Sequence, residues 1–332
     1  GRWHDAPQPH STRQPVEVLG VGDQPYSVRT PCRKPSESSQ ERLQRARESQ
    51  VWPQARQRLG RAPEGVRWIR VADREADIYE DVVSGQELGQ GFVIRAAKDR
   101  ALSHPETGKR VGRFFAAVRR AVPLGECTLD LRQRPHPPAR PAHWVVRATS
   151  VALSAPWRPG HGRARHHPSK CTAVRGWEAA TPDAGERLEW ILWCDANVAH
   201  GAQAHACALQ YATRWRIEAY HKAIKTGLGA ERLQLESAAR RCAAIAIMSV
   251  VAVRLIALRE RLRKHPAAAA ERSGLSPREL EVLRESSGRM LRTVREVALA
   301  IGHLGGHLHR QGDGWPGWQT LWHGMHTLHA VV

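Results

Sequence analysis

Val66-Arg67-Trp68-Ile69-Arg70-Val71, Ala72-Asp73-Arg74-Glu75-Ala76-Asp77 and Gly91-Phe92-Val93-Ile94-Arg95 are the three pieces of sequence that decide the fold class. The first alternates apolar and polar residues, the pattern of a strand with one buried face. The second is a turn and an acid-rich helix start, and the helix is expected to continue to about Leu88. The third is a compact second strand. Strand, helix and strand at this spacing form a βαβ-like unit, so the chain is expected to be α/β.

Outward from this unit, residues 1–38 are rich in Pro, Ser, Thr and Arg, and Val16 to Val21 reads as a short strand. Residues 39–60 read as a polar helix ending before Gly60. Between about 100 and 200, short apolar pieces alternate with Pro, Gly and Arg. Arg132 to Pro141 and Pro156 to Ser169 read as loops, and Leu188 to Trp193 as a clear strand. From about 202 onward the pattern is helical, with an interruption at Pro266. Ala267 to Ala270 reads as a linker or a new helix start. The expected organisation is a core segment over 1–100, a β-rich insertion over 101–200, a core helix over 201–235 and a C-terminal helical region over 236–332.

The 332-residue chain carries 51 Lys and Arg against 32 Asp and Glu, a formal charge of +19. That balance points to a polyanionic partner rather than to an acidic or neutral metabolic enzyme. Its 41% apolar content supplies a real core and excludes a fully disordered chain. Six cysteines occur without a CxxC pair, so free thiols in a reducing cytosol are expected. The apolar run from Cys242 to Val253 is shorter than the roughly 20 residues of a bilayer span. It reads as a buried helix, no membrane association is expected, and a cytoplasmic location follows. His166-His167 and the group His303, His307 and His309 are candidate metal clusters by residue type. Ordinary polar roles fit them better, because Gly302, Gly305 and Gly306 are expected to break the helix that would align the second group.

The densest chemical signal lies between residues 203 and 226. Read as one helix, it places Tyr211, Arg214, Glu218, Lys222 and Lys225 within roughly 80° of arc on one face. Such a face reads as solvated, with Glu218–Lys222 as an i, i+4 pair. Asp73 adds a second acid, at a strand end where an α/β sheet commonly presents ligands. It reads equally well as a helix N-cap. A carboxylate from a strand end and another from a helix face suit Mg²⁺, which takes few carboxylates together with waters and phosphate oxygens. Neighbouring cations suit a phosphate backbone.

Tyr211-x2-Arg214-x3-Glu218-x6-Lys225 resembles the Y-R-E-K signature of bacterial DDE transposases of the insertion-sequence-four family. Tyr211 to Glu236, Val71 to Glu80, Ile301 to Gly306, Gly317-Trp318 and Leu321-Trp322 extend the likeness, which covers most of residues 66–330. The resemblance implies an RNase H-like catalytic core with a β-rich insertion and a C-terminal helical dimerisation region. It implies that Asp73 and Glu218 are catalytic carboxylates holding Mg²⁺ or Mn²⁺. It implies that Arg95, Tyr211, Arg214, Lys222 and Lys225 contact DNA, and that Trp190 stacks on a base flipped out of the transposon end. The implied activity is metal-dependent cutting of double-stranded DNA ends and strand transfer by a homodimeric synaptic complex, in a bacterial, nucleoid-associated setting.

The first catalytic carboxylate of the family has no clear match. Asp5 is the only acid before Val16, and its setting lacks an apolar strand. The expectation is an N-terminally truncated, impaired enzyme whose first carboxylate lies upstream of Gly1. The alternative is a non-catalytic DNA-binding or inhibitory remnant. A third reading, a helix-turn-helix regulator, rests on Leu275 to Leu283. There Ser276, Pro277 and Glu279 also spell an ordinary helix start.

Overall fold

The computed structural model describes residues 17–26, 48–131, 140–156, 168–179, 187–310 and 313–332. The chain divides into two compact units. The described residues of the first run from 48 to Arg214, and those of the second are 17–26 and Trp215 onward.

The first unit is built on a mixed, mainly antiparallel sheet. Its strands are β1 (Ile69–Ala72), β2 (Gly91–Arg95), β3 (Ala101–Ser103), β4 (Arg110–Arg113), β5 (Pro123–Leu131), β6 (Arg140–Leu153), β7 (Ser169–Glu178) and β8 (Glu189–Cys194). They follow the order β1-β2-β8-β7-β6-β3-β4, with β5 also paired to β6. The β1–β2 pair is parallel, and β8 joins β2 antiparallel. The expected βαβ unit is therefore present, and the β-rich stretch over 101–200 continues its sheet instead of forming a separate one.

The local boundaries have physical causes. Val66 is half exposed, and only from Ile69 does the backbone pair with Gly91 onward. The expected helix from 72 to 88 is split into a single 3-10 turn, Arg74–Ala76, and helix α2 (Tyr79–Glu87). Asp77 makes the split. Its buried carboxylate accepts from the Ala97 and Lys98 amides at 2.7 and 2.8 Å and from Arg100 Nε at 2.7 Å. A side chain turned to the loop after β2 competes with helix continuation. The preceding helix α1 (Val51–Leu59) ends at Gly60, which takes a positive φ of 70°, as expected for a glycine stop. Residues 39–47 of that prediction lie outside the described residues.

Both faces of the sheet are covered. Helices α2 and α3 (Phe114–Arg120) pack on one face, where Tyr79, Val82, Phe92, Ile94, Phe114, Val118 and Trp193 form the core. Helix α4 (Gly201–Ala212) packs on the other, where Val93, Trp144, Val174, Trp190, Leu192, Cys207 and Tyr211 meet. A buried brace ties α1 to α2 and β1: Asp81 Oδ1 accepts from Arg56 Nε at 2.9 Å and from Arg70 Nη1 at 2.8 Å.

The second unit is helical. It comprises α5 (Trp215–Lys222), a π-helical turn Ala223–Gly227, α6 (Ala238–Lys264), α7 (Pro277–Ser287), α8 (Val294–Leu304) and α9 (Trp318–His329). Helix α6 ends before Pro266, as expected. Helix α7 opens with a full capping box of Ser276 and Glu279, with Pro277 in the first turn, and α8 with another of Thr293 and Glu296. Leu255, Leu258, Leu283, Val297, Ile301, Leu321 and Leu328 form the core.

Three expectations are corrected in this unit. Residues 17–26 contain no strand; Val18 packs beside α6, while Leu19 is fully out in solvent at 91% exposure. The run from Cys242 to Val253 is not a buried helix, since Ile247 and Val250 are 70% and 64% exposed. It is part of the 27-residue α6, which by length and composition alone could cross a membrane. Only from Ser249 onward does one face of α6 enter the core. Finally, the break expected over Gly302, Gly305 and Gly306 is present but falls later than Gly302: α8 runs on through His303 to Leu304 and stops at Gly305, before His307. Glycine also serves close approach: a Cβ on Gly324 would lie 1.8 Å from the Ile301 carbonyl oxygen, and one on Gly305 would lie 1.9 Å from that of Thr320.

Candidate functional site

Asp73 directly follows β1 in extended conformation. Its Oδ1 accepts from the Arg74 amide at 2.8 Å and from the Tyr211 hydroxyl at 3.2 Å. Its Oδ2 faces Arg214 Nη1 at 3.6 Å, an ion pair beyond direct hydrogen-bonding distance. The N-cap reading of Asp73 is realised at this 3-10 turn. One oxygen caps the 3-10 turn, and the other points toward a cation.

Tyr211 reaches Asp73 from the opposite side of the sheet edge. It sits in the last turn of α4, 2% exposed, and its ring meets Trp190 edge-on at 5.0 Å and 70°. Trp190 in turn meets Trp144 at 5.2 Å and 63°. Gly176 on the adjacent strand β7 makes room for this column, since a Cβ there would lie 2.1 Å from Trp144 Nε1. Arg95 closes the group from the end of β2, near enough for its charge to act on both Asp73 and Tyr211, and donates to the Glu189 carbonyl at 3.3 Å.

Electrostatics follow from these contacts. Burial is the largest influence on Asp73 and acts to raise its pKa. The Arg74 amide, Arg214, Tyr211 and Arg95 together outweigh it and hold the carboxyl below its usual range. Tyr211 shifts upward, first because it is buried and then because Asp73 is charged beside it. At neutral pH the site is therefore a carboxylate, a neutral phenol and two guanidiniums.

Helix α4 stops one residue after Tyr211. Thr213 Oγ1 bonds the Gln210 carbonyl at 2.7 Å, and the Thr213 and Arg214 amides make i→i−3 bonds to Gln210 and Tyr211. A hydroxyl that takes up a helical carbonyl favours such a break. The single helix expected over 203–226, and the core helix over 201–235, are therefore divided, and the five-residue face is not one continuous stripe. Tyr211 and Arg214 belong to the first unit. Glu218, Lys222 and Lys225 belong to the second, all exposed on α5 and the π turn. Lys225 pairs with Glu231 at 2.9 Å.

Of the sequence-predicted residues, Asp73, Arg95, Trp190, Tyr211 and Arg214 are brought together. Trp190 is 7% exposed and enclosed by its aromatic neighbours, the packing of a core indole. Among the described residues, no three His, Cys, Asp or Glu side chains converge as a metal-binding group. Within the first unit Asp73 contributes one carboxylate oxygen, Oδ2, to any such site. His303, His307 and His309 do not assemble one either, although the His307 and His309 rings lie 5.9 Å apart. Asp5 and His166-His167 lie outside the described residues.

The sequence reading missed Trp144 and Gly176. They are 32 residues apart and carry no motif, and only the β6–β7 register brings them together. It also missed the Cys194–Cys207 contact, with sulfurs 3.6 Å apart. No family model matches the chain.

Proposed function

We propose that the chain acts on double-stranded DNA as a DDE-type transposase with an RNase H-like core, working as a homodimer on paired DNA ends. The observation that carries this reading is the meeting of Asp73, Tyr211 and Arg214, with Arg95 close beside them, from three separate stretches of the sequence. Those are residues to which the sequence resemblance gives a catalytic carboxylate and DNA contacts. A capped 3-10 turn needs none of the other three.

In this reading Arg95 and Arg214 hold a phosphodiester by charge and by their forked donors. Tyr211, buried and neutral at pH 7, holds Asp73 in place through its hydroxyl. Asp73 is ionised at neutral pH, and its neighbours hold its pKa lower still against burial, so it can meet a cation without first losing a proton. Asp73 in the first unit and Glu218 in the second are each a carboxylate to which the resemblance gives a share in holding Mg²⁺ or Mn²⁺. Such an ion, when bound, supplies an activated water or 3′ hydroxyl and stabilises the leaving oxygen. Lys222 and Lys225, exposed on the second unit, are further proposed phosphate contacts, while Trp190, enclosed between Trp144 and Tyr211, supports Tyr211 and presents no free face to a base.

The test is nicking of a plasmid carrying the DNA that flanks the coding sequence, with Mg²⁺ or Mn²⁺, by the wild type and by Asp73→Asn. Metal-dependent nicks that fall about 100-fold or more in the variant support the reading. Salt-sensitive binding without nicking supports a non-catalytic DNA-binding or inhibitory protein instead. Neither binding nor nicking overturns both.

A further inference from the structure

Cys194 ends β8, and Cys207 lies in the middle of α4. Both are buried, both are reduced, and their sulfurs are 3.6 Å apart. Their placement follows the same seam as the aromatic contact of the candidate site. Cys194 lies four residues after Trp190 on the same face of β8, and Cys207 lies four residues before Tyr211 on the same face of α4. Helix and strand are thus joined by two neighbouring rungs, Trp190 against Tyr211 and Cys194 against Cys207.

We propose that Cys194 and Cys207 form an oxidisable pair whose disulfide clamps α4 onto β8 beside Tyr211. A disulfide needs sulfurs about 2.05 Å apart. Closing from 3.6 Å asks for a small shift of α4 and a change of rotamer, not a rearrangement of the sheet. The loop between the two cysteines is short, and its second half is the start of α4 itself.

Cys207 is shifted downward, chiefly because Cys194 hydrogen-bonds to it and also through Arg67, against burial and Asp195. Cys194 is shifted strongly upward by that same bond and by burial. Either sulfur can open the reaction, and Cys207 is the one that lies near Arg67. With a hydroperoxide as oxidant, the Cys207 thiolate forms an S–O bond as the O–O bond breaks. The departing hydroxide takes up a proton and leaves as water. The Cys194 sulfur then attacks the sulfenic acid. The S–S bond forms, the S–O bond breaks, and a second water carries off the oxygen with the Cys194 proton. The two thiols supply both electrons.

The test treats the folded chain with hydrogen peroxide, blocks remaining thiols after unfolding, and maps the peptides. Hydrogen exchange in α4 is followed in parallel. The expected result is a loss of about 2 Da, the two thiol hydrogens, in a peptide joining Cys194 to Cys207. Amide exchange in α4 should slow about tenfold. Both changes should reverse on adding a phosphine reductant, and Cys207→Ser should show neither. The reversal in the wild type carries the test if that variant does not fold. The proposal is overturned if both thiols remain alkylatable, if the link joins other cysteines, or if the link forms and α4 exchange is unchanged. None of these readouts depends on DNA chemistry, so they fail or succeed separately from the proposed function.

Discussion

Gly176→Ala is the substitution whose outcome is most tightly set by the structure. Gly176 lies in β7 with no positive φ, so its backbone accepts alanine. Judged by chain entropy alone, the change would stabilise by about 0.4–1 kcal/mol. The added Cβ would, however, lie 2.1 Å from Trp144 Nε1 and 2.4 Å from Trp144 Cε2. The indole is rigid and 0% exposed, and it packs against Trp190, which in turn leans on Tyr211. Overpacking of this kind costs about 1–3 kcal/mol. The net expectation is a loss of about 1–2 kcal/mol, a fall in Tm of about 2–8 °C for a unit of this size. The assay is thermal unfolding of the variant, of Trp144→Phe and of the double variant. Phenylalanine removes the nitrogen that collides, so the double variant should lie about 1 kcal/mol above the sum of the singles. An unchanged or raised Tm in Gly176→Ala, or strict additivity in the cycle, would refute the packing argument.

Three further outcomes follow from the same kind of reasoning. Glu279 accepts from Arg254 Nη2 at 2.8 and 2.9 Å, contacts His329 Nε2 at 2.7 Å and caps α7, and its pKa is lowered to about 2. Its contribution is complete above the usual carboxylate value and is lost as pH falls toward 2. Glu279→Gln should therefore cost about 2 kcal/mol at neutral pH and flatten the Tm profile between pH 5 and pH 2. Gly324→Ala brings a Cβ to 1.8 Å from a backbone oxygen, which no side-chain rotation relieves. It should cost about 3 kcal/mol or more by urea unfolding, and a milder loss than Gly→Ala at exposed Gly288 would count against the close approach. Asp81→Asn removes the partner of Arg56, which is 0% exposed, and should cost about 3–5 kcal/mol by calorimetry of the folded chain.

Much of this was legible in the sequence where the signal is local. The parallel β1–β2 pair followed from alternation and an acid-rich turn, and β2 fell on Gly91–Arg95 as read. The capping box at Ser276 and the stop at Pro266 were equally local. The failures came where a distant partner decides. Asp77 left its helix because the loop after β2 needed a buried acceptor. The break after Ala212 depended on one hydroxyl choosing a carbonyl, which helical periodicity does not register. The exposure of Ile247 and Val250 depended on which face of α6 found a neighbour, and apolar content alone does not choose a face.

The position of Asp73 shows how a bland and a functional reading coexist in one side chain. Capping explains one oxygen, and serine or asparagine would serve as well there. It does not explain why a phenol is buried against the same carboxylate, which costs desolvation on both sides, or why two guanidiniums lie within its field. Packing alone would have placed an apolar residue at 211, where the ring already fits between α4 and Trp190. The surplus lies in the charge: an ionised carboxylate held ready among cations, with its second oxygen turned away from the cap. Asparagine at position 73 keeps the cap and an acceptor for the Tyr211 hydroxyl while removing only that charge. Whatever Asp73→Asn loses beyond a small change in stability therefore belongs to the chemistry of the site and not to its architecture.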